Sequence, residues 1–143
     1  MTKENVPMLL PLTGGCACGA IRYESTGEPL FFLNCHCRDC QRETGGAYAP
    51  IVGVPAAEFR LLQGSPRYFE VTADSGSKTR RAFCPECGSP LFGRPGSRLD
   101  MVTIRAGSLD QPSGFRPSQD IFTARAQPWD FMNPALPKVP GLS

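Results

Sequence analysis

The chain has 143 residues, a size that suits one domain with its own core. Fifteen Lys and Arg against thirteen Asp and Glu give a formal charge of +2, without a basic run or a long apolar stretch. That pattern argues against a nucleic-acid binder held by phosphate charge and provides no transmembrane helix.

In chain order, residues 1–12 read as an N-terminal tail, 13–132 as the domain and 133–143 as a Pro-rich C-terminal tail. The first residues carry mixed charge and the apolar stretch after them is broken by Pro11, so no secretory leader is expected. The expected compartment is the cytoplasm, where thiols stay reduced. Met8, Leu9 and Leu10 are candidates to cover apolar surface. Short apolar runs predict strands at Ile21–Glu24, Leu30–Leu33, Ala47–Val54, Phe59–Leu62, Arg67–Val71, Thr79–Phe83, Met101–Ile104 and Asp120–Thr123. Turn chemistry separates them, for example Gly14-Gly15, Gly64-Ser65-Pro66 and Asp74-Ser75-Gly76. One short helix is predicted over Cys37–Thr44, ended by Gly45-Gly46. The prolines after Gln127 predict an extended tail, packed as far as Trp129-Asp130-Phe131 and loose beyond. Many short strands with regular turns define an all-β class.

The seven cysteines form three clusters: Cys16 with Cys18, then Cys35, Cys37 and Cys40, then Cys84 with Cys87. Disulfides fit poorly, because the count is odd, the spacings are short and the expected compartment is reducing. Metal ligation fits. A closed structural zinc site takes four ligands and a catalytic one keeps three plus an open position. Two pairs make one closed site and the triad makes an open one, which uses every thiol. Other partitions, such as Cys16 and Cys18 joining two of the triad, stay open to counting alone. Ionising all seven thiols and adding two divalent cations takes the formal charge from +2 to −1.

Cys84-Pro85-Glu86-Cys87-Gly88 reads as a zinc-knuckle turn, with proline pre-setting φ and glycine free to turn left-handed. Cys16 and Cys18 reach one ion if the chain between them is extended, since residues i and i+2 then face the same way. The same alternation aims His36, between Cys35 and Cys37, away from the metal those sulfurs share. A single histidine also makes a Ser-His-Asp triad hard to build.

These motifs resemble the glutathione-dependent formaldehyde-activating (GFA) family, which includes the centromere protein V-like proteins. The resemblance rests on Gly15-Cys16-Ala17-Cys18-Gly19-Ala20, Cys35-His36-Cys37-Arg38-Asp39-Cys40-Gln41-Arg42 and Thr44-Gly45. It continues through Arg81-Ala82-Phe83-Cys84-Pro85-Glu86-Cys87-Gly88-Ser89-Pro90-Leu91, Gly107-Ser108-Leu109-Asp110 and Trp129. Ala17 departs from the histidine often found there in the family, at a position that is not a ligand.

The resemblance implies an Mss4-like (β-tent) fold of antiparallel sheets stapled by two Zn²⁺ ions. Cys16, Cys18, Cys84 and Cys87 would take the structural zinc, and Cys35, Cys37 and Cys40 the second, catalytic one. The implied activity joins glutathione, or a similar thiol, to formaldehyde or another small aldehyde; the reverse is a carbon–sulfur lyase reaction. Arg38 and Arg42, beside the triad, are the candidates to meet the substrate's carboxylates, with Lys78, Arg80 and Arg81 nearby in sequence. Competing readings are a thiol-adduct carrier without catalysis and a zinc-stabilised protein-interaction module.

Overall fold

The computed structural model describes residues 7–73 and 76–141. The predicted turn residues Asp74 and Ser75 lie outside these, as do residues 1–6 of the first tail and the last two residues. Two sheets carry the fold. The smaller has the order β1 (Leu12–Gly15), β2 (Arg22–Ser25), β5 (Phe59–Gln63). The larger runs β11 (Lys138–Val139), β10 (Asp120–Ile121), β3 (Phe31–Cys35), β4 (Ala49–Pro55), β9 (Met101–Arg105), β8 (Pro90–Pro95), β7 (Lys78–Phe83), β6 (Arg67–Thr72). From β3 to β6 every pairing is antiparallel, whereas β10 lies parallel to both β3 and β11. The architecture is mostly β and mixed rather than purely antiparallel.

Side-chain alternation along β4 builds the two cores. Val52 and Val54 join the larger core, with Tyr23, Phe59, Phe92, Leu91, Val102 and Ile104. Ala49 and Ile51, on the opposite face, join the smaller one with Leu33, Cys35, Cys40 and Ile121. Tyr23, Phe59 and Phe92 pack as a tilted cluster, with ring centroids 5.4 Å (Tyr23–Phe59) and 4.7 Å (Phe59–Phe92) apart. Each such fully buried side chain contributes about 1.5–3 kcal/mol. The smaller core is the one that matters for the site, because it surrounds the cysteine triad.

The helix α1 (Arg38–Thr44) follows β3 as the sequence predicts. Cys37 caps its start in an extended conformation, its sulfur accepting from Cys40 N at 3.3 Å. Gly45 ends it in the left-handed region (φ 73°), its N–H bonded to Gln41 O at 2.8 Å.

Three strands escape the sequence pattern. In β1, Gly14 and Gly15 are strand residues rather than a turn, and a Cβ at Gly14 would lie 2.4 Å from Ser108 O. In β8, prolines at both ends and Gly93 in the middle read as turn chemistry, yet the strand pairs with β7 and β9. The third is β11, which corrects the expectation of a loose tail beyond Phe131. Conversely, β10 stops at Ile121 because Phe122 turns left-handed (φ 55°). Trp129 and Phe131, expected to pack, are 67% and 93% exposed. In the first tail Met8 packs on the larger core, while Leu9 is exposed.

The last strand is fastened by charge. Lys138 Nζ lies 2.8 Å from Asp120 Oδ2 and also donates to two backbone carbonyls of its own segment. Burial works against the Asp120 charge, but Lys138 and then His36 outweigh it and hold this carboxyl below its usual range. A depressed carboxyl adds stability above its unfolded value of about 3.9 and loses it as pH falls through the lower folded value. Lys138→Met should therefore cost about 1 kcal/mol at neutral pH, with the gap to wild type closing below about pH 4. Urea denaturation at pH 7 and pH 3 checks both halves; an equal gap at both values would refute the assignment.

Candidate metal centre

Two turns build the four-cysteine cluster. After β1, Gly19 N–H bonds Cys16 O at 3.2 Å with Gly19 left-handed (φ 83°). After β7, Gly88 N–H bonds Cys84 O at 2.8 Å with Gly88 left-handed (φ 79°). In each turn a backbone N–H points at the first sulfur: Ile21 N at 3.2 Å from Cys16 Sγ and Glu86 N at 3.4 Å from Cys84 Sγ. Cys16 and Cys18 thus meet through a tight turn, not through the extended chain that their spacing suggested. Ser89 joins the two loops, accepting from Ala17 N at 3.1 Å while its hydroxyl sits 3.2 Å from Cys87 Sγ.

The four sulfurs lie within 4.8 Å of one another, with Cys16–Cys18 at 3.6 Å and Cys18–Cys84 at 3.8 Å. A tetrahedron with metal–sulfur bonds of about 2.3 Å has edges of about 3.8 Å, so the spacing fits a four-thiolate zinc site.

The triad forms where β3 runs into α1. Cys35 and Cys40 are buried and Cys37 is half-buried, so access is from the Cys37 side. Their three sulfurs also lie within 4.8 Å of one another. Three thiols this close cannot all ionise without a cation. Contacts from Cys35 and Cys40 lower Cys37 to about 2, while the contacts of Cys37 and Cys40, with burial, push Cys35 up. The cluster could hold a metal of the thiolate-binding class.

Cross-strand register places a second layer around the triad. Cys35 faces Ala49, Ile51 faces Arg105, Gly53 faces Thr103, Thr103 faces Gly93, and Gly93 faces Arg81. These residues share one face of five adjacent strands, and α1 lies over it. Gly93 leaves room there: a Cβ would meet Thr103 Oγ1 at 2.7 Å and Arg105 Nη2 at 3.3 Å. The Arg105 guanidinium occupies that room, while Arg81 places Nη1 and Nη2 each 3.6 Å from Cys40 Sγ. Glu43, one helical turn after Cys40, accepts from Arg81 Nη1 at 3.1 Å and from Arg105 Nε at 2.7 Å through the same oxygen. Burial opposes the Arg81 charge, but Cys40 and Glu43 outweigh it and hold the guanidinium pKa above its ordinary value.

His36 points away from the triad, as alternation required, and is fully buried. Its Nε2 is 2.8 Å from Asp120 Oδ1 and its Nδ1 is 2.5 Å from Asp130 Oδ2. Gln41, also buried, donates to His36 O (2.8 Å) and Arg125 O (3.0 Å), tying α1 to the segment after β10. Of the basic candidates, Arg38 and Arg42 are exposed on α1, Arg38 donating to Gln41 Oε1 at 2.5 Å. Lys78 pairs with Glu70 at 3.7 Å, and Arg80 stacks on Tyr68 at 4.1 Å. Arg81 alone of that trio reaches the triad. Glu43 and Arg105 were missed, because only the docking of α1 against β9 brings them together. A cavity of about 570 Å³ is lined by Cys16, Ala17 and Ser89 of the four-cysteine loops together with Thr44, Pro50 and Arg105.

Fold and site together define a mostly β domain with two cysteine clusters suited to metal, one closed and one with a ligand position to spare. The chain belongs to the glutathione-dependent formaldehyde-activating enzyme family, whose model matches residues 11–125. Its fold is similar to that in a crystal structure of a Rhodobacter sphaeroides protein, at a TM-score of 0.56 and 20% identity. The match covers 68% of this chain and 87% of that one. Among the described residues, no helix is long and apolar enough to cross a membrane.

Proposed function

We infer that the chain is a zinc-dependent carbon–sulfur lyase or synthase that joins glutathione, or a similar thiol, to formaldehyde or another small aldehyde. The observation that carries this reading is the triad: three sulfurs gathered within 4.8 Å, one of them half-exposed. Cys16, Cys18, Cys84 and Cys87 hold one zinc ion, and Cys35, Cys37 and Cys40 the other. When bound by three thiolates, zinc keeps a fourth position that an incoming thiol can take as its thiolate.

The chain's own residues do the rest. Cys37, at the turn into α1, marks the approach, and apolar Phe122 and Val139 pack against the small core that holds Cys35 and Cys40, which limits water there. Arg38 and Arg42, one helical turn apart and exposed on α1, are the residues we assign to the carboxylates of glutathione. Holding sulfur and aldehyde together lowers the entropy of their encounter. In the addition a carbon–sulfur bond forms, the carbonyl π pair moves to oxygen, and that oxygen takes a proton; nothing is oxidised or reduced.

A second reading, a carrier that holds the thiol or its adduct, draws on a specific observation. Glu43, one helical turn after Cys40, has its Oε1 taken up by two arginines rather than poised to move a proton. The test separates the two. In cobalt-substituted protein, glutathione should intensify the sulfur-to-metal charge-transfer band and S-methylglutathione should not. Adduct formation should then run above its spontaneous rate. Band growth without acceleration supports the carrier, and neither effect refutes both readings.

A further inference from the structure

We propose that Arg81, held by Glu43, which it shares with Arg105, makes the triad selective for an anionic fourth ligand, so that it takes up thiols as thiolates in preference to neutral donors. The proposal deepens the functional reading above, because it rests on a metal ion held by Cys35, Cys37 and Cys40.

The argument starts from charge. Three thiolates and a divalent ion carry one net negative charge, which works against the approach of a further anion. Beside them the buried group of Arg81, Glu43 and Arg105 carries one net positive charge, two guanidinium ions sharing one carboxylate. The two charges offset. The positive one is also delivered at a sulfur, since both terminal nitrogens of Arg81 sit 3.6 Å from Cys40 Sγ. All three side chains are at least nine-tenths buried, where solvent and salt screen little.

The four-cysteine cluster provides the internal contrast. Its sulfurs receive backbone N–H groups and the Ser89 hydroxyl, and among the described residues no Lys or Arg hydrogen-bonds to any of them. A closed site has no further ligand to admit. The guanidinium is found at the cluster with a position to spare.

Location argues the same way. Arg81 is paired across the sheet with Gly93, and side-chain volume there would press on Thr103 and Arg105. Glu43 follows Cys40 by three residues, so the helix that supplies a ligand also supplies the carboxylate that anchors the guanidinium. Arg81 is a positioning and specificity residue, acting through Cys40. On uptake the thiol releases its proton to solvent and the sulfur binds as an anion, with no change in oxidation state.

The test uses holoprotein with cobalt(II) at the triad and two small probes: 2-mercaptoethanol, which binds as an anion and has no carboxylates, and imidazole, which binds neutral. The charge-transfer band reads the thiol and the ligand-field bands read imidazole. Arg81→Gln should weaken 2-mercaptoethanol by about tenfold or more and imidazole by less than about threefold. Arg81→Lys should recover part of the loss. Arg105→Gln removes the same unit of charge without touching a sulfur, and should weaken the thiol by a smaller factor. Arg81→Gln leaves Glu43 paired with Arg105, so the variant should fold; its far-ultraviolet spectrum checks this. Equal weakening of both probes would make Arg81 merely structural, and unchanged thiol uptake would remove its role. Absence of thiol uptake by wild type would overturn the proposal outright. Thiol uptake without acceleration of glutathione–formaldehyde adduct formation would instead defeat the enzymatic reading and leave this selectivity standing.

Discussion

Cys84→Ser is expected to yield protein that does not fold, while Cys37→Ser folds and loses one of two metal ions. Cys84 is fully buried in the larger core beside Leu91 and Phe92, and its cluster closes two loops 66 residues apart in the chain. A structural zinc site contributes on the order of ten kcal/mol to small zinc domains, comparable to the whole stability of an ordinary domain at about 5–15 kcal/mol. Losing one of four thiolates also leaves a buried serine among sulfurs. Cys37 is half-exposed, caps a helix of seven residues and sits at the mouth of the triad, so its loss falls on metal retention. Elemental analysis of wild type should give close to two zinc ions per chain. Mild chelation should remove the ion at the triad first. Circular dichroism and soluble yield decide the comparison. A folded Cys84→Ser with an unfolded Cys37→Ser would reverse the roles of the two clusters.

Glu43→Ala should destabilise the protein by about 3–5 kcal/mol, the cost of breaking a buried ion pair by removing one partner. Its side chain is 3% exposed and pairs with two guanidinium groups that are themselves 8% and 6% exposed. Alanine strands both, although Arg81 keeps Cys40 and Arg105 keeps the Thr103 carbonyl at 3.0 Å. Glu43→Gln retains an acceptor oxygen and should cost less. Combining Glu43→Ala with Arg105→Ala should cost less than the sum of the single changes, because the second removes a charge that the first left unpaired. Urea denaturation measures all of these. A Glu43→Ala stability within about 1 kcal/mol of wild type would show that water reaches this network freely.

Much of the site was legible because metal ligation is local chemistry. Short cysteine spacings with glycines after Cys18 and Cys87 mark the two turns, and both glycines are left-handed in the structure. Alternation between Cys35 and Cys37 was enough to aim His36 elsewhere. What holds His36 was not legible: Asp120, in β10, and Asp130, in the segment that follows it, come from 84 and 94 residues away.

By itself, the sequence determined the class of fold, the three cysteine clusters and the helix that Cys37 caps, since each depends on residues close together in the chain. Tertiary structure alone decided the charged layer behind the triad. Arg81, Gly93, Arg105 and Glu43 come together through the register of five strands and the docking of one helix; Arg81 was one of several basic candidates, and nothing in the neighbourhoods of the other three marks them. It also decided β8 and β11, where proline and glycine argue locally against a strand and pairing with neighbours overrules them. Local preference is worth tenths of a kcal/mol per residue, whereas filling a sheet's open edge and burying its faces is worth several, so at these places the sequence pattern yields to the fold.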